Sequence, residues 1–335
     1  MTDIFEPRPN AELRARGHEA VRTSSAQVHV DSLLSQFAVA YQNSNFIADA
    51  ASPPVFVEKL SGKYMKRTRK DVATVIDDQF GPRGRANEVT YDPTTGTYSL
   101  VDRGLYQPVP LDIESNADAP VDPRQWAVAN VMQRIKLARE YRVATTMLTQ
   151  ANFAAGSYAT ASYPWTDETR GTPLSDLQTA IQALRASGAQ VKKIGFCSTP
   201  VYHALAKHPQ MMGLRPGGGA TGGMLGQDEM AKFLGIDGIM VSDVELNSAN
   251  QAQTASLDYL WTKTKFVLAL IPDTVQASDL QVFAPSFMSK GGIQVRTWFD
   301  PSFGFGGAEM VQVEYRVDDS NVAMNDRAYL IQSVT

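Results

Sequence analysis

Cysteine is almost missing from this chain. Its 335 residues hold one, Cys197. That excludes an intrachain disulfide framework and a cysteine-based zinc cluster. Cys197 follows Ile194-Gly195-Phe196 and reads as a buried small hydrophobe rather than a reactive thiol. Histidine is scarce too: His18, His29, His203 and His208. The last two lie five apart, one more than helix-face neighbours, and Pro209 follows directly; no HExxH occurs, so no metal site is expected. Long apolar runs are absent. Nothing approaches the roughly 18 uninterrupted apolar residues of a membrane span. The strongly apolar piece Phe266 to Ile271 has the length of a strand. The opening MTDIFEPRPN lacks the basic leader and apolar run of a signal peptide. Synthesis in the cytosol, without loss of an N-terminal propeptide, is the expectation. A large excess of either charge is also missing. With Lys+Arg 31 against Asp+Glu 35 the net charge is -4, so tight sequence-reading of nucleic acid is not indicated, although enclosing it is compatible.

What is present suits one large domain or two smaller ones, because 43% hydrophobic residues can build a substantial core. Residues 1–30 are polar and weakly periodic, like an arm. Asp31-Ser32-Leu33-Leu34 reads as a capped turn, and Pro53-Pro54 opens the extended piece Val55-Phe56-Val57. Further on, the turn signal Asp92-Pro93-Thr94-Thr95-Gly96 lies between Val89, Tyr91, Tyr98 and Leu100. Residues 61–105 therefore predict a long two-stranded excursion, marginal alone and in need of a partner surface. Asp122, Pro123 and Gln125 carry helix-start chemistry. Val128, Val131, Met132, Ile135, Ala138 and Val143 recur at helical spacing, with Gln133, Lys136, Arg139, Glu140 and Arg142 at polar positions. A helix over 122–150 would be about 44 Å long. After a loop anchored by Tyr163-Pro164-Trp165, residues 174–285 alternate helix and strand: a helix with stripe Leu174, Leu177, Ile181, Leu184 ended by Gly188, strand 191–197, a helix from Thr199, helix 227–234, strand 238–242 and a strand-rich piece 259–270. Strands are predicted again at 295–299, 310–317 and 329–331. The fold class expected is α+β.

Few residues carry a recognisable chemistry. The run Arg215 to Gly223, with Gly217, Gly218 and Gly219, resembles a phosphate cradle only in glycine content. Met224 and Leu225 stand where a Walker loop needs Lys and Ser/Thr. The expectation is a flexible surface loop at a subunit contact, with no cofactor. Asp77 with Asp78, Asp167 with Glu168, Asp228 with Glu229 and Asp318 with Asp319 are adjacent carboxylates, which face apart on a strand and lie about 100° apart on a helix. They read as solvated or salt-bridged. No Gly-x-Ser-x-Gly elbow exists, so no enzyme is expected. Lys63, Lys66, Arg67, Arg69 and Lys70 place five basic residues within eight positions. This run could touch phosphate nonspecifically, or pair across a subunit contact with carboxylates such as Asp77 and Asp78; the second reading is favoured.

Several pieces together carry a family resemblance. They are Asp31-Ser32-Leu33-Leu34-Ser35, Tyr41-Gln42-Asn43-Ser44-Asn45-Phe46-Ile47-Ala48-Asp49, Pro54-Val55-Phe56-Val57, Ser61-Gly62-Lys63-Tyr64, Tyr106 with Pro108 to Pro110, and Leu137-Ala138-Arg139-Glu140. In this order and spacing the chain resembles the tailed-phage major capsid proteins that include phage lambda's, and through them the HK97-like capsid fold. The resemblance implies an N-terminal arm and lead-in at 1–57, an E-loop hairpin at 58–112, the P-domain spine helix region at 113–173, an A-domain at 174–289 and P-domain return strands at 290–335. It implies a self-assembling homo-oligomer of pentamers and hexamers that closes an icosahedral virion head around double-stranded DNA, held nonspecifically. The implied partners are a separate scaffold protein, a portal and an optional decoration protein, with no membrane and with assembly in the host cytoplasm. An encapsulin-like nanocompartment shell has the same fold and stays open as an alternative. A metabolic enzyme built on 174–285 is the weaker rival, because its cofactor motif is missing.

Overall fold

The computed structural model describes residues 29–40, 46–66, 75–80, 84–89, 94–115, 122–184, 191–214, 224–249, 253–254, 256–273, 275, 280–304 and 306–335. The described residues fall into two compact units. One takes those of Met1–Tyr41, Gly104–Met132 and Ile293–Glu314; the other takes those of Gln42–Arg103, Gln133–Gly292 and Tyr315–Thr335.

In the first unit, the helix Ser32–Ala40 begins where Asp31 Oδ1 accepts the Leu33 and Leu34 N–H groups, satisfying donors that a helix start leaves open. It packs on the strand Gln294–Asp300, and Ser35 Oγ accepts Val295 N–H at 3.0 Å. That strand pairs antiparallel with His29–Val30 on one side and with Ala308–Asp318 on the other. Val101–Pro110 adds a further strand beside Ala308–Asp318. The predicted strands 295–299 and 310–317 are thus present, each slightly longer.

The long helix spans Pro123–Leu148 and gives its start, through Met132, to the first unit. Asp122 Oδ1 accepts Arg124 N–H at 2.9 Å and Gln125 N–H at 3.4 Å, the cap expected from the sequence. Its 26 residues make it about 39 Å long, shorter than the predicted span. The end is set by side chains. Lys265 Nζ donates to Leu148 O, and Asn152 Nδ2 donates to Thr146 O, taking up carbonyls that have no helical partner. The predicted buried stripe also needs correcting. Ala138 is exposed, and Glu140 is fully buried. Glu140 lies three and four residues before the buried Val143 and Ala144, so helical phase puts it on the packed face.

The second unit is built on a five-stranded sheet in the order Tyr158–Thr160, Ala328–Gln332, Lys265–Pro272, Val191–Ser198, Gly238–Ser242. The central strand Lys265–Pro272 is antiparallel to both neighbours, and each outer strand is parallel to its own. Side chains alternate across a strand. Val267, Ala269 and Ile271 therefore enter one hydrophobic cluster with Val143, Met147, Phe153, Trp261 and Phe283. Phe266, Leu268 and Leu270 enter another with Trp165, Leu177, Leu205 and Met230, supplied largely by the helices Pro173–Ala183, Thr199–Lys207 and Gln227–Leu234. Each large side chain so buried contributes about 2 kcal/mol. The helix Gln227–Leu234 stops at Gly235, whose φ of 68° is the left-handed cap that glycine adopts without a steric penalty.

The predicted strand at 329–331 is present as Ala328–Gln332 and pairs with Lys265–Pro272. Four consecutive buried residues, Ala328 to Ile331, need cover on both faces, and the central sheet provides it. The loop 151–173 contains the edge strand Tyr158–Thr160, although Trp165 is the buried anchor expected, its Nε1 donating to Asp176 at 2.9 Å. Thr94 to Gly96, read as a turn, belong to the strand Thr94–Ser99, which pairs with Ser61–Lys66. Gly188 lies outside the described residues. No helix among the described residues is long and apolar enough to cross a membrane.

Gly195 sits in the middle of this sheet, and a Cβ there would come within 2.6 Å of the Phe266 ring. Gly195→Ala is expected to cost about 1–3 kcal/mol by overpacking, read as a lower urea midpoint at unchanged m-value.

Candidate assembly interface

The two-stranded excursion has a buried root and exposed distal limbs. At the root, Ser61–Lys66 pairs antiparallel with Thr94–Ser99, Gly62 opposite Tyr98 and Tyr64 opposite Gly96. These four residues share one face, because positions two apart on a strand point the same way. Tyr64 and Tyr98 are buried there, and both rings pack on Phe287, with centroids 5.0 and 4.8 Å away. Burial, reinforced by the Asp318 carboxylate, pushes the Tyr64 hydroxyl up to about 12. It stays protonated and donates to Asn321 Oδ1 at 2.9 Å. On the other face, Lys63, Met65, Thr95 and Thr97 are exposed.

Beyond the root, every residue of 75–80 and 84–89 is exposed. Val75 is 96% exposed, Phe80 58% and Val89 70%. The limbs meet where Asn87 Nδ2 donates to Asp77 O at 2.7 Å.

The sequence-selected residues divide accordingly. Lys63 projects from the exposed face of the root. Lys66 turns inward, its Nζ 5.4 Å from the Tyr64 ring centroid and donating to Val322 O at 3.4 Å; burial holds its ammonium below the usual lysine range. Asp77 and Asp78 lie on an exposed limb, Asp77 Oδ1 accepting Gln79 N–H. Arg67, Arg69, Lys70, Gly217, Gly218 and Gly219 lie outside the described residues. The structure thus brings Lys63 and Lys66 to the root and Asp77 and Asp78 to the limb.

The same unit holds a buried charge cluster that the sequence did not signal. Asp319 is fully buried and accepts from Arg142 Nε at 2.9 Å, from Arg142 Nη2 at 2.6 Å and from Ser286 Oγ at 3.1 Å. Arg142 also donates to Tyr315 OH at 2.8 Å. Arg139, one turn earlier on the same helix face, pairs with Asp49 and stands 3.6 Å from Asp319. Glu140 accepts the Ile47 and Ala48 N–H groups at 3.1 and 2.8 Å and Trp261 Nε1–H at 2.7 Å. It thereby serves the start of the short helix Ala48–Ala51 from a distant part of the chain. Burial pushes the Glu140 carboxyl above the ordinary glutamate range, and the bonds from Trp261, Ala48 and Ile47 oppose that shift without cancelling it. The one sequence cue was Arg139-Glu140 within the quoted family pattern. Elsewhere burial alone drives the Cys197 thiol up to about 12, so it is inert as a nucleophile. Among the described residues no group of three metal-ligating side chains occurs.

Comparison with known proteins identifies the architecture. No model of a known protein family matches the chain. It is 29% identical over 240 residues to the major capsid protein of Pseudomonas phage JBD67, covering 71% of this chain and 76% of that one. It is 23% identical over 279 residues to the major capsid protein of Burkholderia phage BcepMu, covering 82% of each. In structure it matches a phage-related protein from Bordetella bronchiseptica with a TM-score of 0.70 at 20% identity, covering 91% of this chain and 97% of that one. In sequence the chain is similar to phage major capsid proteins, and its fold is the capsid fold of these structural neighbours. The capsid fold extends beyond phages: an encapsulin complex from Synechococcus elongatus matches with a TM-score of 0.50 at 13% identity, covering 91% of this chain and 95% of that one.

Two variants test the cluster. Asp319→Ala removes the carboxylate that Arg142, only 16% exposed, pairs with, leaving it Tyr315 OH, and is expected to lower unfolding free energy by about 3 kcal/mol. For Glu140 the folded pKa lies above the unfolded value. Its contribution is fully present below the unfolded pKa, near 4.5, and is lost as pH rises through the raised folded value. Denaturation across that window should therefore show wild-type stability falling with pH relative to Glu140→Gln, in which this slope is absent.

Proposed function

We propose that this chain is the shell subunit of a tailed-phage head. Copies assemble as pentamers and hexamers, close an icosahedral shell on a separate scaffold protein, and enclose double-stranded DNA. The observation that carries this reading is the hairpin. Its root is packed into the subunit core, while its distal limbs expose Val75, Phe80 and Val89 to no described part of their own unit. A neighbouring copy is the occupant that closed symmetry supplies at every position of a shell. Many such modest contacts, repeated over a closed assembly, give collective stability through multivalency.

In this reading 58–112 works as the E-loop, the helix within 113–173 as the spine, 174–289 as the A-domain and 290–335 as the return strands. Lys63 faces outward on the root, where it can meet a neighbour's Asp77 or Asp78. Lys66 is taken up by its own subunit. The near-balanced charge of the chain suits loose, nonspecific enclosure of DNA. The names of the two phage relatives favour a DNA-filled head over an enzyme-filled compartment.

Electron microscopy of the protein co-produced with its scaffold, together with native mass and nucleic-acid absorbance of particles from a phage lysate, tests this. Closed icosahedral shells or five- and six-membered rings, with DNA in the lysate particles, are expected. A uniform monomer that stays unassembled beside its scaffold would overturn the shell reading. Shells filled with protein and free of DNA would transfer it to the encapsulin class.

A further inference from the structure

The root of the hairpin contains an arrangement that neither strand propensity nor core packing requires. Each strand supplies one glycine and one tyrosine, and each tyrosine lies over the glycine opposite. A Cβ on Gly62 would come within 2.7 Å of the Tyr98 hydroxyl, and one on Gly96 would run into the Tyr64 ring. Glycine in a strand costs backbone entropy and leaves nothing to pack. Here the empty space on each strand is filled by the ring from the other, and the two rings close on Phe287. Asn321 adds a polar bond to each strand. Its Oδ1 accepts from Tyr64 OH on one, and its Nδ2 donates to Thr97 O on the other at 2.7 Å. Both ends of the amide are used, so donor and acceptor cannot be exchanged without loss. Ser99 N–H completes the attachment by donating to Asp318 Oδ2 at 3.1 Å. The described distal residues 75–80 and 84–89 are all exposed.

We propose that Tyr64, Tyr98 and Phe287, latched across both strands by Asn321, are positioning residues that fix the angle at which the hairpin leaves its subunit. Adaptation to a neighbouring copy is then confined to the limbs beyond Lys66 and Thr94. This rests on the shell reading above for its purpose, but the clamp itself is a property of the single subunit.

Asn321→Asp is the informative change. It keeps shape and the acceptor for Tyr64, and sets a carboxylate oxygen against the Thr97 carbonyl. Hydrogen exchange on the unassembled subunit should show amides of Ser61–Lys66 and Thr94–Ser99 exchanging about tenfold faster, with those of Lys265–Pro272 unchanged. Tyr64→Phe, which keeps the ring over Gly96 and removes the hydroxyl, should give the same local pattern if Asn321→Asp does not fold. With scaffold, either variant should give open or mixed-diameter particles where wild type gives one diameter. Unchanged exchange at the root, or faster exchange spread equally through the central sheet, would overturn the clamp. Local loosening with shells identical to wild type would overturn the positioning role. Failure of the wild type to form shells would instead count against the proposed function, leaving the exchange result to decide the clamp.

Discussion

The strand Lys265–Pro272 is apolar on both faces, and the larger unit is arranged to satisfy it. A six-residue buried run, Phe266 to Ile271, cannot leave either face in water without losing several kcal/mol. Its alternating side chains therefore demand two cores. One face recruits the helices Pro173–Ala183, Thr199–Lys207 and Gln227–Leu234. The other recruits the end of the long helix, the Phe153–Phe283 pair and, further out, the root of the hairpin through Phe287, Tyr64 and Tyr98. Both strands beside it take their residues from distant parts of the sequence, 191–198 and 328–332. The chain end is thereby drawn into the middle of the unit.

Within the second core the long helix carries charge as well as apolar surface. Arg139, Glu140 and Arg142 reach the lead-in at 47–52, Trp261, Ser286 and the stretch from Tyr315 to Asp319. Burying such groups costs desolvation, and the return is geometric, because each bond works at one distance and angle only. Apolar packing tolerates sliding. A carboxylate held by two arginines and a serine does not. This cluster fixes the lead-in at 46–57 against the helix, and the glycine–tyrosine clamp fixes the hairpin beside it.

The capsid fold accounts for assembly better than for cargo. Phage and encapsulin proteins share the architecture, so what the shell contains is decided by surfaces and partners rather than by the sheet. The described distal limbs of the hairpin carry exposed apolar and acidic residues.

The sequence by itself determined the local elements. Gln227–Leu234 and Gly238–Ser242 lie where periodicity and turn residues put them, Asp122 caps the long helix, and the run at 266–271 has the length and composition of a buried strand. These follow from forces acting over a few residues: side-chain period, caps and glycine or proline at ends. The family pattern also exposed Arg139-Glu140, without saying what the pair does. Only the tertiary structure decided that Glu140 is buried and Ala138 is not, that Asp319 is the centre of a charge cluster, that Gly96 lies in a strand under a tyrosine, and that the last strand joins the central sheet. Each of these depends on a partner from tens to hundreds of residues away. A turn signal such as Asp-Pro-Thr-Thr-Gly reports what its own backbone permits. It cannot report that a ring from the opposite strand will occupy the space its glycine leaves open.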